Sequence, residues 1–242
     1  MKCVYCQNYQ FSQDDQGRSL SSDELAGMMI ARQEEGCHCL DLVTPTQFLP
    51  DVGAALLKAS ERGLNLPVVY NSSGYERVET LRRLRGVVDV YLVDLRYGDD
   101  AVARRLSDAL DYVEIGRNAV REMFEQVGLL EIGSDGIAVG GLIVRHLVLP
   151  GGLAGTDDVL EWIATGLDPR VHVSLMSQYV PTNRASDEPE INRRITKAEY
   201  REAVAALEKY GFTNGWIQPW QAEDGSVDDV FWERNPTRES SG

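Results

Sequence analysis

Leu66-Pro67-Val68-Val69-Tyr70-Asn71-Ser72-Ser73-Gly74 is the stretch that decides the fold. Its first half is apolar, with two β-branched valines and an aromatic ring, the composition of a strand. The run does not alternate, so it reads as a strand covered on both faces. It ends in small polar residues and a glycine. Residues 76–84 follow with helical spacing and stop at Gly86. Strand, polar turn and helix in that order form one unit of a parallel α/β fold.

The same unit repeats in both directions. Upstream, Ser21, Ser22, Asp23 and Glu24 cap a helix whose apolar face is Leu25, Met28, Met29 and Ile30, ending at Gly36. Residues 39–43 form a strand that ends in Thr44-Pro45-Thr46, and a helix over 50–62 closes at Gly63. Downstream, a strand over 87–93 ends at Asp94-Leu95-Arg96-Tyr97, and a helix covers 99–107. The pattern then predicts a short strand at 112–115, a helix at 118–128 and a hairpin at 130–139 around Ser134-Asp135-Gly136. A strand at 142–149, a helix at 156–166 and a strand at 171–176 come next. A polar loop at 181–194, a helix at 196–210 and a strand at 215–217 complete the series. The expectation is an α/β fold, a full or partial (β/α) barrel, with a doubly wound open sheet as the alternative. A single domain is expected over 1–234, with a disordered tail over 235–242.

The chain has 242 residues, 43% of them hydrophobic and 26% charged, enough for one sizeable core. Its formal net charge of −14 argues against a nucleic-acid partner, because phosphate binding needs clustered Lys and Arg. No apolar run is long enough to span a membrane, and no signal-peptide pattern opens the chain, so a cytoplasmic protein is expected. In that compartment the four cysteines read as metal ligands or buried thiols rather than disulfides.

In either α/β fold, function sits at the C-terminal ends of the strands. Those ends carry Thr44-Pro45-Thr46, Asn71-Ser72-Ser73-Gly74, Asp94, Glu114 with Arg117 and Asn118, Arg145 with Pro150-Gly151-Gly152, and Ser177-Gln178-Tyr179. Singly, each is an ordinary turn or cap residue. As a set they point to a polar ligand site on one rim. No glycine-rich phosphate fingerprint and no G-x-S-x-G elbow occurs, which argues against nucleotide-triphosphate and serine-hydrolase chemistry. His146 and His172 lie within apolar strands and read as hydrogen-bonded structural residues.

Cys3-Val4-Tyr5-Cys6-Gln7-Asn8-Tyr9 adds two thiols at metal-ligand spacing. From the residues alone this is half of an iron–sulfur site, half of a zinc site or a redox dithiol. A zinc-binding structural or interaction protein would recruit Cys37 and Cys39, or His38, to complete four ligands. A thioredoxin-like dithiol needs a helix opening at the pair, and Gln7-Asn8-Tyr9-Gln10 is a poor start for one.

The cysteine stretch resembles the last part of the C-x-x-x-C-x-x-C loop of radical S-adenosylmethionine (SAM) enzymes. Together with 43–46, 70–75, 91–97 and 143–151 it is similar to the branch related to pyruvate formate-lyase activating enzyme. The resemblance covers roughly residues 1–220 and is specific as an ordered set. It implies a partial barrel with a 4Fe–4S cluster at the first loop, held by Cys3, Cys6 and a third thiolate, with SAM chelating the fourth iron. Reductive cleavage of SAM would yield a radical that abstracts hydrogen from a substrate. It also implies a reductant such as flavodoxin or ferredoxin, and a possible protein substrate. Tyr5 would lie near the adenine. Thr44 and Thr46 would stand where the family's Gly-Gly-Glu meets the SAM amino group. Asn71 and Asp94 would face SAM or the cluster, and Arg145 its carboxylate or ribose. The sequence departs from that branch at Thr44-Pro45-Thr46, at Gln47 where relatives carry His, and at Arg96 where they carry Lys. These departures bear on the substrate more than on the chemistry. The missing third thiolate belongs two residues before Met1, so the expectation is a chain truncated at its N-terminus, lacking the barrel's first strand and leaving an unpaired edge.

Overall fold

Short strands alternate with helices, and the strands of the main sheet align in parallel because the chain returns through helical crossovers. The computed structural model describes residues 1–14, 16–221 and 227–228. After a one-turn helix α1 (Tyr9–Ser12), α2 (Ser22–Glu34) opens with a capping box in which Ser21 and Glu24 each accept from the other's backbone N–H. Then come β1 (Leu40–Val43), a 3₁₀ turn (Pro45–Phe48), α3 (Leu49–Glu61), β2 (Val68–Ser72), α4 (Val78–Arg82), β3 (Val90–Asp94), α5 (Asp100–Ser107) and α6 (Tyr112–Val127). The chain continues through β4 (Glu131–Ile132), β5 (Ala138–Leu147), α7 (Thr156–Gly166), β6 (His172–Met176), α8 (Lys197–Lys209) and β7 (Gly215–Ile217). A two-residue pair, β8 (Trp220–Gln221) and β9 (Val227–Asp228), follows. The expected tail over 235–242, and the end of the expected domain at 234, lie outside the described residues.

The large sheet runs β1-β2-β3-β5-β6-β7, all parallel, with β4 antiparallel on the start of β5. This order decides between the two fold classes. A doubly wound sheet reverses its strand order at a switch point, whereas a barrel adds strands in sequence. Here the order is sequential and the sheet is open, with β1 and β7 at its edges: a partial (β/α) barrel. Every residue of β2 is buried, as the non-alternating run requires. One large core reaches from Cys3 to Phe212, and a smaller one joins Ala26 and Met29 of α2, Leu40 of β1, and Ala55 and Ala59 of α3.

The expected strand at 112–115 is not formed. Those residues begin α6, whose buried positions Tyr112, Gly116, Ala119, Val120 and Met123 recur at helical spacing. The local run of Tyr, Val and Ile favoured a strand, and tertiary packing of the longer period overrode it. The expected hairpin at 130–139 is present as β4 and the start of β5, turning through Ser134, Asp135 and Gly136. Among the described residues no helix is long and apolar enough to cross a membrane.

Candidate functional site

The strands deliver their C-terminal residues to one cleft of about 350 Å³, within the usual size range of small-molecule sites. Val43 and Thr44 come from the end of β1, Asn71 and Ser72 from β2, Asp94 from β3, Arg145 and Leu147 from β5, and Met176 from β6. Tyr5, Cys6, Arg96, Gln178, Tyr179 and Val180 also line the cleft.

Parallel register sets Asp94 beside Arg145. Arg145 donates from Nε to Asp94 Oδ1 at 2.7 Å, and Arg96 donates from Nη2 to Asp94 Oδ2 at 2.6 Å. Arg145 also donates from Nη2 to Asn71 Oδ1 at 2.7 Å, reaching past β3 to β2. Asn71 in turn donates from Nδ2 to Asp41 Oδ2 at 3.2 Å. One carboxylate between two guanidiniums leaves this side of the cleft with a net positive charge, able to receive an anionic ligand group. Gly74 lets the loop after β2 lie against the end of β3. Its φ is +77°, and a Cβ there would stand 2.6 Å from the Asp94 carbonyl oxygen.

The cysteine loop packs across this rim. Lys2 and Val4 donate their N–H groups to Ser107 and Leu106 at the end of α5, and the Cys6 N–H turns back to the Cys3 carbonyl at 3.1 Å. From the other side Arg184 N–H reaches the Val4 carbonyl, and Asn183 Nδ2 the Cys3 carbonyl. Cys6 lines the cleft. Cys3 is buried, with its Sγ accepting from Ser107 Oγ at 3.0 Å and Arg96 Nη1 at 3.5 Å. The Tyr5 hydroxyl meets Tyr97 at 2.5 Å, and Tyr97 meets Ser107 at 2.6 Å. Burial, reinforced by the Cys3 sulfur, pushes the Tyr5 phenol well above its ordinary range, so it stays a neutral hydroxyl.

Of the residues singled out from the sequence, Tyr5, Cys6, Thr44, Asn71, Asp94 and Arg145 share the cleft. Thr46 does not line it: its hydroxyl donates to Glu76 Oε1 at 2.6 Å and sits 3.1 Å from the Tyr70 hydroxyl, behind the wall. Glu114, Arg117 and Asn118 are also elsewhere, because they ride on α6; Arg117 lies over the Trp162 ring at 5.5 Å. The four-cysteine zinc site is not assembled. Cys37 and Cys39 precede β1, while Cys3 and Cys6 lie at the opposite rim, and four strand residues alone span roughly 13 Å. Among the described residues no group of three or more His, Cys, Asp or Glu side chains could hold a metal ion. Sequence reasoning missed Tyr97, Ser107 and Glu76. The first two reach the site only through the fold, and Glu76 resembles an ordinary acidic residue near a helix start.

His146 meets the structural expectation. It is fully buried, with Nδ1 donating to the Leu95 carbonyl at 2.7 Å and Nε2 accepting from Thr156 at 2.9 Å. His172 does not, since its buried Nδ1 has no partner among the described residues. Burial lowers the His146 pKa to about 4. The unfolded chain therefore binds a proton that the folded chain refuses between about pH 6.5 and pH 4. Stability should fall as pH drops through that window, by up to about 3 kcal/mol from this group. Urea titrations at pH 7 and pH 5 check this: the loss should be smaller in His146→Gln, and equal losses would show that His146 is not responsible.

A cluster-binding loop needs soft thiolate donors beside the ligand cleft. Cys6 stands at such a position and Cys3 lies buried three residues away in the same loop, while Cys37 and Cys39 lie before β1, away from it. The guanidinium side of the cleft suits the anionic group of a polar ligand. The family model for the radical SAM superfamily matches residues 1–140. The chain is 34% identical over 216 residues to uncharacterized protein MJ0674 of Methanocaldococcus jannaschii, covering 86% of this chain and 59% of that protein. It thus spans somewhat under two thirds of the length of this curated relative. Its fold is similar to a domain of pyruvate-formate lyase-activating enzyme from Bacteroides vulgatus, with a TM-score of 0.53 and 15% identity over 75% of this chain and 99% of that one. It is also similar to HydG, a maturase of the [FeFe]-hydrogenase, with a TM-score of 0.59 and 14% identity over 89% of this chain and 48% of that one. Methylornithine synthase (PylB) aligns over 100% of this chain and 73% of its own, with a TM-score of 0.56 and 14% identity. At these identities the solved structures speak for the fold alone. The match over 1–140 takes in more than half of the residues, including the cysteine loop and the first three strand ends, and on that ground the chain belongs to the radical SAM superfamily.

Proposed function

We propose that this chain binds SAM in the rim cleft and contributes Cys3 and Cys6 as thiolate ligands of a 4Fe–4S cluster, in an enzyme that abstracts hydrogen from its substrate in the manner of the activating enzymes. The observation that carries this reading is the clamp of Asp94 between Arg96 and Arg145, tied to Asn71 and set beside Cys6. When bound, the cluster would supply the electron for reductive cleavage of SAM, itself replenished by a flavodoxin- or ferredoxin-class reductant.

The chain's own residues have separate tasks. Arg145 presents fixed N–H donors to the SAM carboxylate or ribose. Asn71 holds Arg145 in place, and Asp94 keeps the two guanidiniums from repelling each other. Tyr5 would form the adenine-side wall. Leu147, Met176 and Val180 would exclude water there. Arg96 and Ser107, donating to Cys3 Sγ, would stabilise its thiolate form.

Anaerobic reconstitution with iron and sulfide, followed by SAM and dithionite, should yield 5′-deoxyadenosine. The protein should show broad absorption at roughly 400 nm. Cys3→Ala and Cys6→Ala should each lower bound iron by more than about half. A colourless protein holding a single zinc ion, or iron uptake indifferent to both substitutions, would refute the reading.

A further inference from the structure

The helical layer outside the sheet has a gap. α3 packs on α2 and α4 packs on α6, and between α3 and α4 runs a furrow of about 770 Å³. α4 is only five residues long, and the furrow reaches down to Leu42 of β1 and to Val68 and Tyr70 of β2. It shares no lining residue with the rim cleft. One wall is a stripe along α3: Gly53, Leu57 and Ser60 stand at the spacing of a single helix face, and all three are exposed. The other wall comes from α4 and the turn after it, with Thr80, Arg83, Leu84 and Val87. Leu57 is 64% exposed and Val87 42%, so apolar side chains on both walls face open space.

Two features say what fits there. Gly53 lies in the interior of α3, where glycine weakens a helix relative to alanine. Nothing stands within 4 Å of the place its Cβ would take, so packing within this chain gives no reason for a glycine. Close approach of another backbone does give one. α3 has 13 residues and is about 20 Å long, enough to lie along a partner helix of three to four turns. The second feature is charge. Residues 77–85 hold Arg77, Arg82, Arg83 and Arg85 against one acidic residue, Glu79, in a chain of net charge −14. Arg82 and Arg85 share the single carboxylate of Glu122. The guanidiniums of Arg77 and Arg83 have no partner among the described residues. Asp89, the one acidic side chain lining the furrow, accepts from the Val68 N–H at 2.8 Å. The furrow is therefore apolar within and cationic along the α4 rim. The negative charge of the whole chain disfavours an anionic membrane or a second copy as its occupant.

We propose that the furrow between α3 and α4 is the docking groove for one amphipathic helix of a partner protein, its apolar stripe set against Gly53 and Leu57 and its acidic residues against Arg77 and Arg83. The partner's backbone crosses α3 at Gly53, and its leucine-class side chains enter the furrow. This interaction does not depend on the SAM reading.

Fluorescence anisotropy on the full chain tests it with two labelled helical peptides of about 18 residues. Both carry the same leucine stripe, one with Glu on its polar face and the other with Lys. The acidic peptide should bind, and the basic one about tenfold more weakly or worse. Gly53→Leu should melt at a higher temperature than the wild type, since leucine favours a helix and meets open space, yet weaken the acidic peptide about tenfold or more. Stability and binding then move in opposite directions, which a folding defect does not produce. The double variant Arg77→Glu, Arg83→Glu should also weaken the acidic peptide about tenfold and strengthen the basic one. Bound acidic peptide should slow amide hydrogen exchange in α3 and α4 and leave β6 unchanged. Equal affinity for the two peptides overturns the charge assignment, and wild-type affinity in Gly53→Leu overturns the placement. No binding of the acidic peptide overturns the proposal as a whole. A wild-type dimer in light scattering that Gly53→Leu dissociates, or sedimentation with phosphatidylserine vesicles that Gly53→Leu abolishes, refutes it in favour of a second copy or a membrane.

Discussion

Asp94→Ala should reduce SAM-dependent 5′-deoxyadenosine formation by about a hundredfold or more, the largest loss expected from any rim substitution outside the cysteine loop. The reason is geometric. Asp94 accepts from both Arg96 and Arg145, and its side chain is 13% exposed against 25% for each arginine. Without it two guanidiniums face each other across β3 and β5 with only Asn71 to hold one of them. They will move apart, and the donors aimed at the ligand move with them. Breaking a buried ion pair costs more than the pair contributes, because charge is left unbalanced. Partial solvent access places the expected stability loss near the low end of that range, about 3 kcal/mol. Asp94→Asn keeps the shape but only one acceptor oxygen, setting its amide N–H donors against the other guanidinium, so it should still fold and yet lose most of its activity. Thermal melts and product assays on both variants check this. If Asp94→Ala retained wild-type product formation, the clamp would not be the centre of the site.

The parts of this molecule that were legible in the sequence are those where one local signal has one physical cause. An apolar run followed by Asn71-Ser72-Ser73-Gly74 or by Asp94 must end where the strand leaves the core, so the rim residues could be named without coordinates. The cap at Ser21 to Glu24 announces α2 in the same way, as one local signal with one cause. Errors arose where two signals competed or where partners are distant in the chain. Tyr112, Val113 and Ile115 have strand propensity, yet the α6 period runs on to Met123 and wins by burial. Thr46 is adjacent to the cleft in sequence, but the 3₁₀ turn directs it to Glu76, thirty residues on. Cys37 and Cys39 matched a ligand count, and only the direction of β1 shows that they enter it from the far end. Ser107 lies 104 residues from Cys3, a separation no spacing rule covers.

Tyr112 joins the misread helix to the site, and its removal should give the largest stability loss among single substitutions near the rim. It is fully buried, edge-on to Tyr97 with centroids 5.4 Å apart and stacked with Tyr75 at 6.0 Å. Its hydroxyl accepts from the Arg96 backbone N–H at 2.9 Å and lies 3.1 Å from the Ser73 carbonyl oxygen and 3.2 Å from that of Asp94. One side chain of α6 thus fixes the ends of β2 and β3 together, which is what keeps Asp94 and Arg96 in register with Arg145. Tyr112→Ala should cost about 3–5 kcal/mol, as expected for a buried aromatic replaced by a cavity. Tyr112→Phe keeps the ring and leaves the Arg96 N–H without its acceptor, so the cost should be about 1–3 kcal/mol. Urea unfolding measures both. Hydrogen exchange adds a local test: the Arg96 amide should exchange faster in Tyr112→Phe while amides in the middle of β5 do not change. A Tyr112→Phe variant with wild-type stability and an equally protected Arg96 amide would show that packing of the ring, not the hydroxyl, holds the rim together.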